Sequence, residues 1–253
     1  ANSANDPPDA RAAPTTPRTR GRAARHRPAS ETPMTISLYD ASVPVYTQML
    51  GALDKVLGKA EAWAEATGRA FLRFDYSGHG QSSGDFLDGC IGDWAADAMA
   101  AIAALTVGPQ ILVGSSMGGW MALLVARAMP DRVAGLVGIA AAPDFTEDLM
   151  WAGFTEAERA AVMAGRLEQP SDYSDAPYII TRKLIEEGRQ NLVLRDPLPL
   201  PFPVRLLQGT ADVDVPPAVA LRLLDHAQSP DLRLMLVKGA DHRFSTPECL
   251  DMI

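Results

Sequence analysis

Cysteine is almost missing from this chain: 253 residues hold two, Cys90 and Cys249. Two thiols so far apart in sequence make no disulfide framework and suggest a reducing compartment. Histidine is nearly as scarce, at His26, His79, His226 and His242, which leaves little room for a His-rich metal site. Positive charge is the minority sign, with Lys+Arg 23 against Asp+Glu 31 and a net charge of −8. Such a surface repels a phosphate backbone, so nucleic acid is not an expected partner. Aromatic residues reach only 6%. What the chain does have is 47% hydrophobic residues and a length at which a domain buries roughly 70% of its unfolded surface. A core needs neither metal nor disulfide.

The longest stretch without charge, 98–126, is the one to test as a membrane span. It is interrupted by Gly108-Pro109 and by Gly114-Ser115-Ser116-Met117-Gly118-Gly119. Backbone groups released at such breaks find no partner in lipid. The stretch therefore reads as helix, turn, strand, turn, helix of a soluble protein. Residues 1–33 carry six Arg, six Pro and eight Ala against three acidic residues. They lack apolar periodicity and an apolar signal-peptide core, so a disordered tail is expected. The remainder, 34–253, reads as one domain. Localisation reads as cytoplasmic, or mitochondrial if the Arg-rich start is a transit peptide.

From residue 61 onward the pattern is regular. A helix ends at Gly68, and a strand is expected over 70–76, then a loop over 77–84. A helix follows over 94–105, a strand over 110–114, a helix over 117–129 and a strand over 133–140. Strands alternating with helices of this length predict a parallel, doubly wound sheet. The alternation pauses over about 143–200, where helices are expected near 156–167 and 178–194. An insertion of that size reads as a helical lid. Alternation resumes with a strand over 204–208, a helix over 218–227 and a strand over 232–237, followed by the beginning of a last helix.

The sharpest motif is Gly114-Ser115-Ser116-Met117-Gly118, a G-x-S-x-G between a strand and a helix. That context is what a nucleophile elbow requires, with Ser116 exposed at the sheet's carboxyl end and the Met117 N–H facing a developing oxyanion. A nucleophilic serine needs a base and an acid that orients it, in the chain order serine, acid, histidine. His226 falls inside a helix. His242 lies just past the last strand, where a base must sit. For the acid, Gly209-Thr210-Ala211-Asp212-Val213-Asp214 offers two carboxylates. Asp212, at the turn leaving the strand, is preferred over Asp214, which suits the N-terminus of the next helix. Asp241 reads as a solvated loop carboxylate.

These residues resemble the α/β-hydrolase superfamily. One branch is close: the acyl-protein thioesterase and acyl-glucuronide esterase group of α/β-hydrolase domain proteins and their bacterial relatives. The likeness is carried by Arg73-Phe74-Asp75-Tyr76-Ser77-Gly78, by the stretch Gly108 to Ser116 with Gly118-Gly119-Trp120, and by Pro203-Val204-Arg205-Leu206-Leu207. Pro170-Ser171-Asp172-Tyr173-Ser174 and Asp241-His242-Arg243 add to it, so that it spans about 59–244. The resemblance implies Ser116, Asp212 and His242 as nucleophile, acid and base, with no metal or cofactor. It implies an ester or thioester of a small molecule or acylated protein as substrate. Lid aromatics Trp151, Phe154, Tyr173 and Tyr178 suggest an apolar acyl group.

Members of that group carry His-Gly or Pro-Gly after an early strand, which supplies a second oxyanion N–H. Residues 34–58 show no such pair, so the N-terminal strands are expected to be atypical or missing. A shifted reading frame over 1–58 would explain this, because out-of-frame GC-rich DNA encodes the same Arg, Pro, Ala and Thr bias. The alternative function is a non-catalytic binding protein on the same scaffold.

Overall fold

The computed structural model describes residues 47–171 and 174–253. The tail expected at 1–33, the unusual segment 34–46 and the lid residues Asp172 and Tyr173 lie outside the described residues. The first helix, α1 (Thr47–Ala66), buries Val56, Ala60 and Ala64, spaced so that they share one stripe. It stops at Gly68, whose φ of 66° is the left-handed value a helix-ending glycine supplies.

The strand expected over 70–76 does not form. Only Leu72 makes a single bridge, and the rest is irregular. A strand exists only against a partner, and this segment joins no ladder of the described sheet. Its end is tied to the following loop, where Ser82 Oγ donates to the Asp75 carbonyl at 2.6 Å, and side chains hold that loop. The Ser77 N–H donates to Asp97 at 2.8 Å and Trp94 Nε1 donates to the Ser77 carbonyl at 3.1 Å. His79 packs edge-on against Trp94 and Phe86, and burial pulls its pKa down. It is a packing histidine of this loop.

Helix α2 (Ile91–Leu105) turns Ile91, Trp94, Ala95, Ala98 and Ile102 inward. Strand β1 (Gln110–Ser115), helix α3 (Met117–Ala128) and strand β2 (Val133–Ile139) then follow as the alternation predicts. Between β2 and the next sheet strand the chain is less helical than expected. A π-helix covers Thr146–Trp151, and α4 (Glu156–Met163) opens with a Thr155/Glu158 capping box. An antiparallel hairpin, β3 (Arg166–Ser171) and β4 (Ser174–Thr181), precedes α5 (Arg182–Gln190). The two long helices expected here are each cut short by this hairpin. Gly165, at φ 144°, ends the first. Tyr178-Ile179-Ile180-Thr181 is a β-branched and aromatic run that favours a strand over the start of a helix.

The chain ends with β5 (Leu198–Pro199), β6 (Val204–Gly209), α6 (Pro217–His226), β7 (Ala227–Gln228), β8 (Leu232–Val237) and α7 (Pro247–Leu250). β5 and β7 form a two-residue parallel pair. The central sheet runs β1-β2-β6-β8 and is parallel throughout. Its register pairs Ser115 with Ile139, Ile139 with Leu207, and Gly209 with Val237. The carboxyl ends therefore stand level, and that edge is where loops converge in open α/β sheets. Trp94 on α2 and Trp120 on α3 are among the largest fully buried side chains of the core. Truncating a ring so buried costs about 3–5 kcal/mol. Among the described residues, β1 pairs with a strand only on its β2 side, and Ile111 on β1 is exposed.

Candidate active site

The tight turn between β1 and α3 begins with Gly114. A Cβ there would lie 2.2 Å from the Gly118 carbonyl oxygen, so only glycine lets strand and helix close so sharply. The strain falls on the residue at the apex, Ser116, with φ 52° and ψ −122°, a conformation a non-glycine residue holds only when its surroundings enforce it. Its N–H donates to Ile139 O at 2.9 Å, and its carbonyl accepts from Gly119 N at 2.9 Å and Ala142 N at 3.0 Å. Met117 opens α3. At that position the N–H has no acceptor four residues back within the helix.

Ser116 leaves β1, while Asp212 and His242 leave β6 and β8, two and three strands away. Strands stand about 4.8 Å apart, so the later loops must fold back to reach the serine. The His242 loop does this by crossing over the end of β6. Ala211 N donates to Ala240 O at 3.0 Å and Thr210 N to Val237 O at 2.9 Å, while Gly239 N donates to Thr210 Oγ1 at 2.9 Å. Gly209 permits the crossing, since a Cβ there would lie 2.2 Å from Ala240 O. Gly209→Ala is therefore expected to push the His242 loop outward. The thermal midpoint should fall by the equivalent of about 1–3 kcal/mol and turnover should fall well beyond what lost folded protein explains. Melting curves alongside kcat per titrated active site check this.

The result is a continuous hydrogen-bonded chain. His242 Nε2 lies 3.0 Å from Ser116 Oγ, and His242 Nδ1 lies 2.9 Å from Asp212 Oδ2. Asp212 is buried and its carboxylate is saturated with donors. Oδ2 also accepts from Gln208 Nε2 at 2.8 Å. Oδ1 accepts from Asp214 N at 3.0 Å and Val215 N at 2.8 Å. Burial pushes this carboxyl up, but the bonds from His242, Val215 and Gln208 outweigh it and hold Asp212 below the ordinary carboxylate range. It stays ionised at neutral pH.

The other residues weighed from the sequence lie elsewhere or differ in kind. His226 closes α6, with Nε2 2.8 Å from Asp196 O. Asp214 is exposed but close: its carboxylate, that of Asp212 and a ring nitrogen of His242 offer ligand atoms within 4.8 Å of one another. Asp212 and His242 are bonded to each other, so a cation there would have to break that bond. Asp241 is exposed. Of the lid aromatics read as acyl contacts, the three within the described residues pack against neighbouring side chains. Phe154 is buried against Trp151, Tyr178 is tilted against Phe86, and the Trp151 ring carries the guanidinium groups of Arg159 and Arg189. Gln208 escaped the sequence reading. Its signal was a polar side chain at an inward position of the apolar strand Val204-Arg205-Leu206-Leu207-Gln208.

The family model described as alpha/beta hydrolase fold matches residues 49–164. A Rattus norvegicus protein named palmitoyl-protein thioesterase ABHD10, mitochondrial, is 38% identical over 198 residues, which is 76% of this chain and 67% of the rat protein. A crystal structure of a protein from Agrobacterium vitis S4 superposes with a TM-score of 0.74 at 38% identity, covering 86% of this chain and 82% of that one. Mouse alpha/beta hydrolase domain-containing protein 10 superposes with a TM-score of 0.70 at 32% identity, over 87% and 84%. By its parallel sheet, its serine elbow and these matches, the chain belongs to the α/β-hydrolase family.

Proposed function

We propose that this protein hydrolyses carboxylic esters and thioesters through an acyl-enzyme on Ser116. The observation that carries the reading is the unbroken chain Ser116 Oγ, His242, Asp212. His242 takes the hydroxyl proton as Oγ attacks the acyl carbonyl, and returns it to the departing alcohol or thiol. Water then attacks the acyl-enzyme with His242 again as base. Asp212 fixes the imidazole tautomer with the proton on Nδ1 and stabilises its charged form. The oxyanion faces the Met117 N–H at the start of α3, where the helix dipole adds to the bond. None of these steps calls on a metal or cofactor.

The relatives' printed name, palmitoyl-protein thioesterase, favours a long acyl chain in thioester linkage to a protein, or a small-molecule ester of the same acyl class. Among the described residues no helix is long and apolar enough to cross a membrane. That name also carries the word mitochondrial, which favours the transit-peptide reading of residues 1–33 over the cytoplasmic one; import of a reporter fused to them tests it.

Hydrolysis of p-nitrophenyl esters and acyl-thioesters of graded chain length, with Ser116→Ala as control, tests the function. Turnover that rises with acyl length and vanishes in the control is expected. The second reading, a non-catalytic binder, rests on the missing His-Gly or Pro-Gly pair in 34–58. A wild type inert to the whole panel and to fluorophosphonate would select it.

A further inference from the structure

We propose that Asp144 is a positioning residue for this hydrolysis, pinning the segment that holds Ser116 in its strained conformation and tying it to the returning end of the insertion. The inference rests on the reading of Ser116 as nucleophile.

Ser116 does not hold its backbone alone. The segment from Ile139 to Asp144, which leaves β2 and enters the insertion, grips it from two sides. Ile139 O accepts the Ser116 N–H and the Ala142 N–H donates to Ser116 O. The Ala141 methyl fills the space beside the elbow, where a Cβ on Gly119 would lie 2.5 Å from it. The gripping segment is itself strained. Ala140 has φ 45° and Asp144 has φ 58°, the left-handed region that a residue such as alanine rarely adopts. Two such residues within five need an external hold to keep one conformation.

Asp144 provides it. Its side chain is fully buried and accepts from Val193 N at 2.8 Å, Leu194 N at 3.0 Å and Arg195 Nη1 at 3.1 Å. These donors belong to the stretch that follows α5, where the insertion returns to the sheet. One carboxylate therefore joins the insertion's outgoing and returning ends. The join is reinforced around it. Asp148 pairs with Arg195 and, at 2.6 Å, with Arg222 of α6. Trp120, on the helix that follows the nucleophile, packs edge-on against Phe145 and donates to Asn191 O at 3.2 Å. Both ends of the insertion thus rest on the nucleophile's own helix. Losing Asp144 frees the segment that bonds Ser116 on both sides, and a displacement of about 1 Å at a reacting group costs about 10²-fold in rate.

A merely structural buried acid would lower stability and leave each folded molecule fully active. The test is Asp144→Asn, which keeps the volume and removes the charge. It also turns one acceptor oxygen into an NH2 that faces a buried donor, either Val193 N or the pair Leu194 N and Arg195 Nη1, so the thermal midpoint should fall as well. The measurements are kcat and KM for p-nitrophenyl acetate per titrated active site, and the saturating rate of Ser116 phosphonylation by a fluorophosphonate. Both rates should fall at least about tenfold with KM changed less than about twofold. Asp231→Asn, which cuts a partly buried pair with Arg205, should leave both rates alone. Unchanged rates per active site in Asp144→Asn, with only a lower thermal midpoint, overturn the proposal. Should that variant not fold, Arg195→Met keeps the two backbone bonds and must still slow phosphonylation; an unchanged rate there overturns it equally. A wild type left unlabelled at Ser116 removes the nucleophile and this inference together. A labelled wild type with an unaffected Asp144→Asn overturns the inference alone.

Discussion

Ser116→Ala is expected to lower kcat by roughly 10⁶-fold and to abolish covalent labelling by a fluorophosphonate, because the nucleophile, base and acid of such a triad act as a unit. His242→Ala should cost about as much, and the double variant no more than either alone. That non-additivity is the informative part. If the serine and the imidazole contributed independently, their losses would multiply. The 3.0 Å contact between Nε2 and Oγ makes the second loss redundant once the first is made, since an unactivated hydroxyl and an absent one are equally poor nucleophiles at neutral pH. Turnover per folded molecule and mass spectrometry of the labelled peptide check both points. Labelling that persists in Ser116→Ala would place the nucleophile elsewhere.

How far the sequence showed this site depends on how local each signal is. The elbow was legible because Gly114, Ser116 and Gly118 lie within five residues, and the close approach they allow is a property of that turn. Asp212 and His242 were legible at one remove: each follows a strand whose apolar run is plain, and the parallel sheet brings those strand ends level. Gln208 and Asp144 were not. Gln208 acts through a side chain on the same strand-turn unit, yet a lone polar residue in a strand has many other readings. Asp144 bonds backbone N–H groups of Val193 and Leu194, about fifty residues on, and a backbone donor leaves no mark in the sequence. The expected strand over 70–76 failed for the converse reason. Its residues suit a strand, but strand formation depends on a neighbour, and the segment joins no ladder in the described sheet. The hairpin β3–β4 was hidden because short apolar runs such as Tyr178 to Thr181 fit either a helix or a strand until length decides.

Asp212→Asn should lower kcat by about 10⁴-fold, the loss the same substitution causes in a serine protease triad, where the imidazole then presents the wrong tautomer. Asp214→Asn should be mild, because Asp214 meets Asp212 through its backbone N–H, which the substitution keeps. Gln208→Leu should fall between the two, at about tenfold, since it removes one charge-assisted donor worth roughly 1.5–3 kcal/mol to the carboxylate and leaves the other three in place. A ranking with Asp214→Asn more damaging than Asp212→Asn would move the acid to Asp214. Stability supplies an independent check with a definite sign. The folded-state pKa of Asp212 is depressed, so its contribution is fully present above the unfolded value of about 3.9 and is lost as pH falls through the folded value. Wild type should therefore lose thermal stability faster than Asp212→Asn as the pH drops below about 4, and the two melting curves should draw together there. Parallel pH dependence in wild type and variant would mean that the carboxylate is not held ionised by the four donors around it, and the orienting role would fall with that.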